Sequence, residues 1–381
     1  MKIKYFKYEN KSTGLKINTI DFNSNLTLLV GASGVGKSLI LKALIDMRKI
    51  ADGRSINGVE WEIEFLSDTK HDYIWKGAFE SKVVQNITLI DDYEEKDTAL
   101  KPKIKKEELW LNNIIIVKRD NKETLFNEKP AFPKPSSYES VLSLFKEAKE
   151  IIPINNNVKQ IKIMEDFDPR VFHFFSKILD ILEEYKTIDK IQHSSMPTII
   201  KLHCVYKNLP DIFNKIKKDF VSIFPQIKDI RIKLVVDKNI TLPASYVSLL
   251  EIKEKNVNNW ISQQNISLGM LKTLSLISEL YLCENESTIL LDEFENSFGV
   301  NCMDSAVDNI LNVNRDLQFI ITSHHPYIIN NIDMSHWKVV SRKGGIISTK
   351  NARDYGLDKY DSHHEAFLEL LQLSDYSNGI N

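Results

Sequence analysis

The sequence predicts an α/β fold, and three short apolar segments support this prediction. Each reads as a buried strand that ends in a loop carrying polar residues of distinctive type. The segments are Leu26–Val30 before a glycine-rich loop and a helix, Thr288–Leu291 before Asp292-Glu293, and residues 319–321 before Thr322-Ser323-His324. Uninterrupted apolar strands are typical of a parallel sheet that is covered on both faces. We therefore expect these three segments to share one buried sheet.

The first of these loops has the sequence of a phosphate-binding loop. Residues 31–38, GASGVGKS, match every fixed position of the pattern G-x-x-x-x-G-K-[ST], and an apolar helix follows them. The glycines let backbone N–H groups surround a phosphate, and the helix N-terminus adds the positive end of its dipole. Lys37 is expected to reach the β- and γ-phosphates, and Ser38 to hold Mg²⁺. The candidate nucleotide-binding residues are Gly31, Ser33, Gly34, Val35, Gly36, Lys37, Ser38 and Leu39.

Two adjacent carboxylates follow the second apolar segment. Asp292 and Glu293 stand at the carboxyl end of a strand, which is where open α/β sheets bind their ligands. One carboxylate can hold Mg²⁺, and the other can orient the water that attacks a γ-phosphate. The alternative is an exposed Asp-Glu pair that merely begins a loop. The phosphate loop in the same chain favours the first interpretation.

Composition and charge narrow the class of protein. The 381 residues leave room for two or three domains, and the net charge of −2 makes no electrostatic case for nucleic acid or membrane. The three cysteines are far apart and form no C-x-x-C pair, so neither a disulfide framework nor a zinc site is expected. The N-terminus is too charged for a signal peptide, and no apolar run is long enough to span a bilayer. We expect a cytoplasmic protein that does not enter the membrane.

A long insertion separates the phosphate loop from the second apolar segment. Short strands are predicted at 59–65, 72–75, 83–90 and 114–117, and helices over 141–145, 171–185 and 209–224. A strand at 230–236 is expected to return the chain toward the nucleotide-binding core, and a hairpin is expected over 337–350. The predicted organisation is a nucleotide-binding domain in two parts, 1–55 and 230–350, a β-rich arm at 56–135, a helical insertion at 136–229 and a helical tail at 351–381.

The order of the motifs resembles that of ABC-type ATPases, most of all the branch related to RecF, OLD and SMC proteins. The shared order is a phosphate loop, a long insertion, Ser-x-Gly before a helix, Leu-Leu-Asp-Glu, and a strand followed by Ser-His. The resemblance implies an ABC-type P-loop ATPase head with a long inserted arm, and ATP with Mg²⁺ as ligands. It also implies a homodimer or higher oligomer, in which two heads pair head to tail. Each ATP is then closed between one copy's phosphate loop and the other copy's signature motif.

The resemblance assigns roles to further residues. Ser267 and Gly269 match the serine and glycine of the signature motif, while Leu268 and Met270 differ from the residues usual in transporter ATPases. A serine that only caps an ordinary helix is the alternative interpretation of this motif. Residues 295–297, ENS, fall at the position of the D-loop, which lies at the dimer interface in the family.

The catalytic assignments also follow from the resemblance. Asp292 falls on the metal-linked aspartate and Glu293 on the catalytic glutamate. His324 falls on the switch histidine that senses the γ-phosphate. The Q-loop of the family has no clear counterpart, because the candidate at residues 136–139, SSYE, matches by position only and contains no glutamine.

Two pairs of adjacent histidines raise the question of a metal site. They are His324-His325 and His363-His364. The second pair lies in the sequence Ser362-His363-His364-Glu365, which has the pattern of a capping box that opens a helix. We favour this structural interpretation over a metal site.

Two functions are compatible with the resemblance. The first is an ATP-driven dimerising switch that controls a separate effector protein, for example a nuclease, in bacterial antiphage defence. The second is a RecF-like DNA-binding ATPase in repair, in which lysines at 101–106 and 215–218 contact phosphate backbones, although such runs are more often solvated surfaces. A transporter subunit is disfavoured by the long insertion and the altered signature, and a GTPase by the lack of an N-K-x-D motif. Because no nuclease carboxylate cluster follows His324, any nuclease activity is expected from another chain.

Overall fold

The computed structural model describes residues 1–67, 70–82, 101–131, 135–164, 174–175, 177–236, 246–296, 298–360 and 362–373. The chain divides into two compact units. The first unit comprises residues 1–163, 286–293 and 316–381, and the second comprises residues 164–285 and 294–315. The strand predicted at 83–90 and Ser297 of the predicted D-loop lie outside the described residues.

The described residues contain eighteen strands and eleven α-helices. The strands are β1 (Lys2–Asn10), β2 (Leu15–Asp21), β3 (Leu26–Val30), β4 (Val59–Leu66), β5 (Asp72–Phe79), β6 (Ile104–Leu111), β7 (Ile114–Arg119), β8 (Thr124–Phe126), β9 (Lys129–Pro130), β10 (Ile161–Ile163), β11 (Phe174–Phe175), β12 (Ile227–Val236), β13 (Tyr246–Glu254), β14 (Ile261–Ser262), β15 (Thr288–Leu291), β16 (Gln318–Ser323), β17 (Trp337–Lys343) and β18 (Ile346–Asn351). The helices are α1 (Lys37–Ala51), α2 (Val141–Leu144), α3 (Ile152–Lys159), α4 (Ile178–Glu184), α5 (Ile188–Gln192), α6 (Thr198–Asn208), α7 (Pro210–Ile223), α8 (Leu268–Leu282), α9 (Val300–Leu311), α10 (Pro326–Asn331) and α11 (His363–Gln372).

A parallel group of strands forms one end of the sheet in the first unit. The order is β10-β15-β16-β3-β17, and each neighbouring pair is parallel. Every residue of β3, β15 and β16 is buried, because apolar side chains occupy both faces of these central strands. The prediction that the three apolar segments share a buried sheet is confirmed. Their carboxyl ends therefore meet at one edge.

The remaining strands of the first unit extend this sheet, and their neighbouring pairs are antiparallel except β18 with β2, which is parallel. The full order has 14 strands and runs from β17 through β18-β2-β1 to β4-β5-β6-β7-β8-β9. Burial alternates along β4, so that Trp61 and Ile63 face a core that also contains Leu44 of α1. The β-rich segment predicted at 56–135 is thus continuous with the sheet of the phosphate loop. Strand pairing such as Phe6 with Ile63 makes this connection.

A buried polar network attaches the β-rich segment to α2. Glu107 of β6 accepts hydrogen bonds from Trp75 Nε1 at 2.9 Å, Ser140 Oγ at 2.5 Å and Val141 N at 3.0 Å. Arg119 Nη1 lies 3.8 Å from Glu107 Oε2. Burial raises the pKa of Glu107, while these hydrogen bonds and the Arg119 charge act in the opposite direction. Because both partners are buried, loss of either would leave polar groups unsatisfied.

The second unit has its own antiparallel sheet, formed by β11-β13-β12 with β14 paired to β13. The strand predicted at 230–236 is confirmed as part of β12, which pairs along its length with β13 of this unit. The helix predicted over 171–185 is shorter than expected, since Phe174–Phe175 is a strand and α4 begins at Ile178. Helix α8 is buried around most of its circumference, which identifies it as the core helix of this unit. Within the described ranges, no helix is both long and apolar enough to cross a bilayer.

The division of the chain into five segments, which was inferred from sequence, stays a prediction. The observed units follow spatial compactness, and each is assembled from separate stretches of the chain.

Candidate functional site

The phosphate-loop sequence connects β3 to α1 and depends on glycine at two positions. Gly36 has a φ of +98°, and a Cβ atom there would lie 2.3 Å from Ile347 Cδ1. A Cβ atom on Gly31 would lie 2.7 Å from the carbonyl oxygen of Val340. A larger residue at Gly31 would press on the backbone of β17, whereas at Gly36 the Ile347 side chain would have to move. Glycine is therefore favoured by packing at position 31 and by the left-handed backbone at position 36.

Lys37 lies folded against the loop that precedes it. Its side chain is 8% exposed, and Nζ donates to the carbonyl oxygens of Gly31 at 2.7 Å and Ala32 at 2.9 Å. Among the described residues, no side chain caps the N-terminus of α1 at Gly36. The ammonium group and the N-terminal end of a 15-residue helix thus lie at the same place, which is favourable for an anion.

A hydrogen-bond chain joins the phosphate loop to the carboxyl ends of β15 and β16. Ser38 Oγ donates to Asp292 Oδ1 at 2.9 Å. Thr322 Oγ1 donates to the same Asp292 oxygen at 2.7 Å and accepts from Glu293 N at 2.8 Å. The structure therefore brings together the two residues predicted to bind metal, Ser38 and Asp292.

Thr322 is a site residue that the sequence motifs do not indicate. The signal that could have indicated it is a buried hydroxyl at the end of an otherwise apolar strand, immediately before Ser323-His324. A buried hydroxyl needs hydrogen-bond partners. At the carboxyl end of β16, Thr322 finds them at the end of the neighbouring strand, β15.

Glu293 has an unusual backbone conformation. Its φ is +45°, and it is not a glycine, so the conformation costs on the order of 1–3 kcal/mol. The hydrogen bond from Glu293 N to Thr322 Oγ1 holds the residue in this conformation. Its side chain is exposed. Strain of this kind often occurs at functional sites, where it directs a side chain toward a ligand.

These residues surround a cavity of about 270 Å³ in the first unit. Its lining residues are Ser33, Gly34, Gly36, Lys37, Ser38, Leu39, Glu293, Thr322 and His324. Most of the predicted binding residues and both predicted catalytic residues are thus brought together. Val35 is fully buried and packs in the core, so only its backbone belongs to the loop surface.

The signature residues lie in the second unit, at the N-terminus of α8. Ser267 is the N-cap, and its Oγ accepts a hydrogen bond from Met270 N at 3.3 Å. Ser267 is exposed, and Leu268 is 55% exposed. Gly269 lies in the first turn and is partly exposed. This helix end is therefore accessible to another molecule.

The segment considered for the Q-loop packs against the β-rich strands. Arg119 donates to the carbonyl oxygens of Ser136 and Glu139, the latter at 2.7 Å. Neither residue lines the cavity. Strand β10 instead lies beside β15, with Ile163 paired to Leu290, so its carboxyl end reaches the same sheet edge as Asp292.

The paired histidines have structural contacts. The N-cap of α10 is His325, whose Nδ1 accepts from Tyr327 N at 3.2 Å. His363 Nδ1 lies 3.0 Å from the carbonyl oxygen of Asn330 and so attaches α11 to α10. Helix α11 begins at His363 as predicted, but the predicted capping box is not formed, because the Ser362 side chain makes no capping hydrogen bond. Within the described residues, His, Cys, Asp and Glu form no group of three that could hold a metal ion.

Two solved structures are similar to this chain over nearly its whole length. A crystal structure of an Smc head bound to the C-winged helix domain of ScpA has 16% identity, covers 92% of this chain and 97% of its own, and has a TM-score of 0.50. A crystal structure of the Smc head domain with an extended coiled coil, bound to the C-terminal domain of ScpA derived from Pyrococcus furiosus, has 13% identity, covers 93% and 98%, and has a TM-score of 0.50. At these identities the likeness concerns the fold. The chain therefore has the α/β fold of an SMC head, with a phosphate-loop sequence between β3 and α1.

The chain belongs to the family described as "AAA domain, putative AbiEii toxin, Type IV TA system", which matches residues 26–330. The matched range contains the phosphate loop, α8, Asp292-Glu293 and His324. Among curated proteins, none has a sequence that matches this chain.

Proposed function

We propose that this protein binds and hydrolyses ATP with Mg²⁺ at the cavity of the first unit and acts as a dimerising switch. The observation that carries this proposal is the hydrogen-bond chain from Ser38 through Asp292 to Thr322 and Glu293. It joins the phosphate loop to the two carboxylates in the arrangement that phosphoryl transfer needs, with a metal-binding pair beside a water-orienting carboxylate.

The residues at the cavity fit a nucleoside triphosphate with Mg²⁺. Ser38 Oγ and Asp292 Oδ1 supply two oxygen donors 2.9 Å apart, and Mg²⁺ in such sites takes its other ligands from water and phosphate. The bound ion would neutralise the charge that develops on the transferred phosphoryl group. Lys37 and the N-terminus of α1 bind the phosphates. Glu293 orients the attacking water, and His324 contacts the γ-phosphate.

The dimer is proposed from the accessible N-terminus of α8. Ser267 and Leu268 are exposed, and an exposed helix N-terminus attracts an anion such as the γ-phosphate held by a second copy. The cavity of about 270 Å³ is at the small end of ligand sites, in keeping with half of a composite site. ATP would therefore close a head-to-tail homodimer, and hydrolysis would open it.

The switch is proposed to control a separate effector, such as a nuclease, in bacterial antiphage defence. The family description names a toxin of a toxin–antitoxin system and no separate effector, so the effector is proposed from the resemblance to defence-type ATPases alone. The alternative is a RecF-like ATPase in repair, in which Lys105 and Lys106, both exposed on β6, would contact phosphate backbones. DNA-stimulated hydrolysis that falls steeply with added salt would support this alternative.

Two substitutions test the proposed reaction. Lys37→Ala should abolish ATP binding, measured by titration with a fluorescent ATP analogue, while Lys42→Ala on the exposed side of α1 is the matched control and should bind normally. Glu293→Gln should bind ATP, hydrolyse little and accumulate as a closed dimer in analytical ultracentrifugation. Tight ATP binding by the Lys37 variant, or wild-type turnover by the Glu293 variant, would contradict the assignment.

A third substitution tests the composite site. Ser267→Arg places a bulky cation at the exposed end of α8, so it should leave ATP binding intact and block dimer formation in the Glu293→Gln background. Normal dimerisation of that double variant would show that the signature residues do not lie in the dimer interface.

A further inference from the structure

Helix α8 carries a buried lysine shortly after the Ser267-Leu268-Gly269 motif. Lys272 is 6% exposed, and its Nζ donates to the carbonyl oxygen of Asn296 at 2.6 Å. The same ammonium group lies 5.0 Å from the centroid of the Phe298 ring. The lysine therefore joins the second turn of α8 to the segment that follows Glu293 in sequence.

A charged group at this place in α8 is costly without compensation. The helix is otherwise mostly apolar and buried, and an ammonium group removed from water destabilises the fold unless carbonyl oxygens or aromatic faces replace its hydration. A leucine or methionine could fill the same volume at lower cost. The position of Nζ on a backbone carbonyl thus indicates that Lys272 fixes the path of the chain at Asn296.

The segment held by Lys272 is anchored in the core on both sides. Phe294 is 1% exposed and directly follows Glu293, and its ring centroid lies 5.3 Å from that of Phe298. Between these buried rings, Asn296 is exposed. Phe294, Phe298 and Lys272 together hold Asn296 at the surface of the second unit, and Lys272 attaches it to the helix that presents Ser267.

We propose that Lys272 is a positioning residue that fixes the segment at Asn296 to the signature helix, so that both present one preformed surface to a second copy of this chain. This inference rests on the proposed ATP-dependent dimer. It assigns to Lys272 a role in closure and turnover that is separate from nucleotide binding. Without the lysine, the surface must be ordered during dimerisation, which weakens closure.

The test compares Lys272→Met with Lys272→Arg and with a matched control, Lys201→Met. Lys201 is also buried in the second unit, at 3% exposure, and its Nζ donates to the carbonyl oxygens of Gln192 and Leu282, the latter at the opposite end of α8. Both methionine variants thus lose a buried ammonium–carbonyl contact of the same helix. Of these two lysines, Lys272 is the one that contacts the segment proposed to face the second copy.

Lys272→Met should lower kcat by about tenfold or more, as the loss of a positioning residue commonly does, with KM for ATP changed less than about twofold. In the Glu293→Gln background it should stay monomeric at ATP and protein concentrations that dimerise Glu293→Gln alone. Lys272→Arg should retain dimerisation and most of kcat, because the guanidinium group can also donate to the carbonyl. Lys201→Met should lower Tm without changing kcat or dimerisation.

If Lys272→Met matches Lys201→Met in kcat and dimerisation, the lysine is purely structural and the inference is overturned. Should the methionine variant fail to fold, Lys272→Ala removes the same donor without adding bulk, and unchanged closure in that variant would equally overturn the inference. Absence of ATP binding and hydrolysis in the wild-type protein would instead refute the proposed function itself.

Discussion

Thr322 Oγ1 donates a hydrogen bond to Asp292 Oδ1 at 2.7 Å across the edge of the parallel sheet. The same hydroxyl accepts from the backbone N–H of Glu293 at 2.8 Å. One buried side chain therefore fixes both the orientation of a carboxylate and the strained backbone of the residue after it. Because β15 and β16 are parallel neighbours, their carboxyl ends bring these groups into contact.

Replacement of Thr322 tests this relationship. Thr322→Val preserves the shape of the side chain but removes both hydrogen bonds, so we expect ATP hydrolysis to fall by about 10–100-fold, as is usual when a partner of a metal ligand is lost. Thr322→Ser keeps the hydroxyl and should retain most of the activity. Steady-state ATPase assays at saturating Mg²⁺ measure both. Full activity of the valine variant would show that the hydroxyl is dispensable.

Replacement of Gly36 tests the packing behind the phosphate loop. An added methyl group would lie 2.3 Å from Ile347 Cδ1 at a φ of +98°, so Gly36→Ala should destabilise the protein by about 1–3 kcal/mol and abolish nucleotide binding. Gly344→Ala is the control, because its φ is also positive, at +59°, but no atom lies within 4 Å of the added Cβ. Thermal unfolding and ATP titration of both variants separate the clash from backbone strain. Normal ATP binding by Gly36→Ala would argue against a rigid loop.

The buried network around Glu107 should be a major source of stability in the first unit. Glu107→Leu leaves buried donors on Trp75, Ser140 and Arg119 without this acceptor, so we expect a loss of about 3–5 kcal/mol in urea denaturation. The adjacent Glu108 is 31% exposed and lies 3.7 Å from Lys76, so Glu108→Gln should change stability by less than about 1 kcal/mol. Equal effects of the two substitutions would refute the special role of Glu107.

His203 should make the stability of the protein depend on pH. Burial, together with the Lys207 charge, lowers the pKa of His203 from 6.5 to about 4. The unfolded chain therefore binds the proton between these values while the folded chain does not, so stability falls as the pH drops below 6.5. At about 1.4 kcal/mol per pKa unit, the loss from pH 6.5 to pH 5 is about 2 kcal/mol.

Urea denaturation at pH 7 and pH 5 measures this contribution. His203→Gln removes the titrating group, so the stability difference between the two pH values should shrink by about 2 kcal/mol in that variant. An unchanged pH dependence would show that His203 does not remain neutral in the folded protein.

Much of the phosphate-loop strand and its neighbours could be predicted from local patterns. The strands at Leu26–Val30, Thr288–Leu291 and Gln318–Ser323 each contain a short apolar run, and the loop between β3 and α1 has a fixed spacing of glycine, lysine and serine. Such signals are contained within a dozen neighbouring residues. These local signals are sufficient to indicate the polar residues at each strand end without knowledge of tertiary contacts.

Other features depend on residues that are distant in the chain. The antiparallel strands after Val59 read as a separate arm, yet the pairing of β4 with β1 makes them part of the phosphate-loop sheet. Strand β12 has the composition of a sheet strand, yet it pairs with β13 in the second unit. Hydrophobic periodicity predicts that a strand exists, but it does not specify the partner, because any apolar strand offers the same backbone hydrogen bonds.

The sequence by itself determined the nucleotide-binding loop, the buried strands on either side of it and the two carboxylates at a strand end. Only the tertiary structure decided that Ser38 and Thr322 both donate to Asp292, and that Lys272 holds Asn296. The physical reason is that apolar periodicity and loop spacing are local properties of the chain. Hydrogen bonds between side chains at separate strand and helix ends exist only after the sheet order and the packing have placed them within about 3 Å of each other.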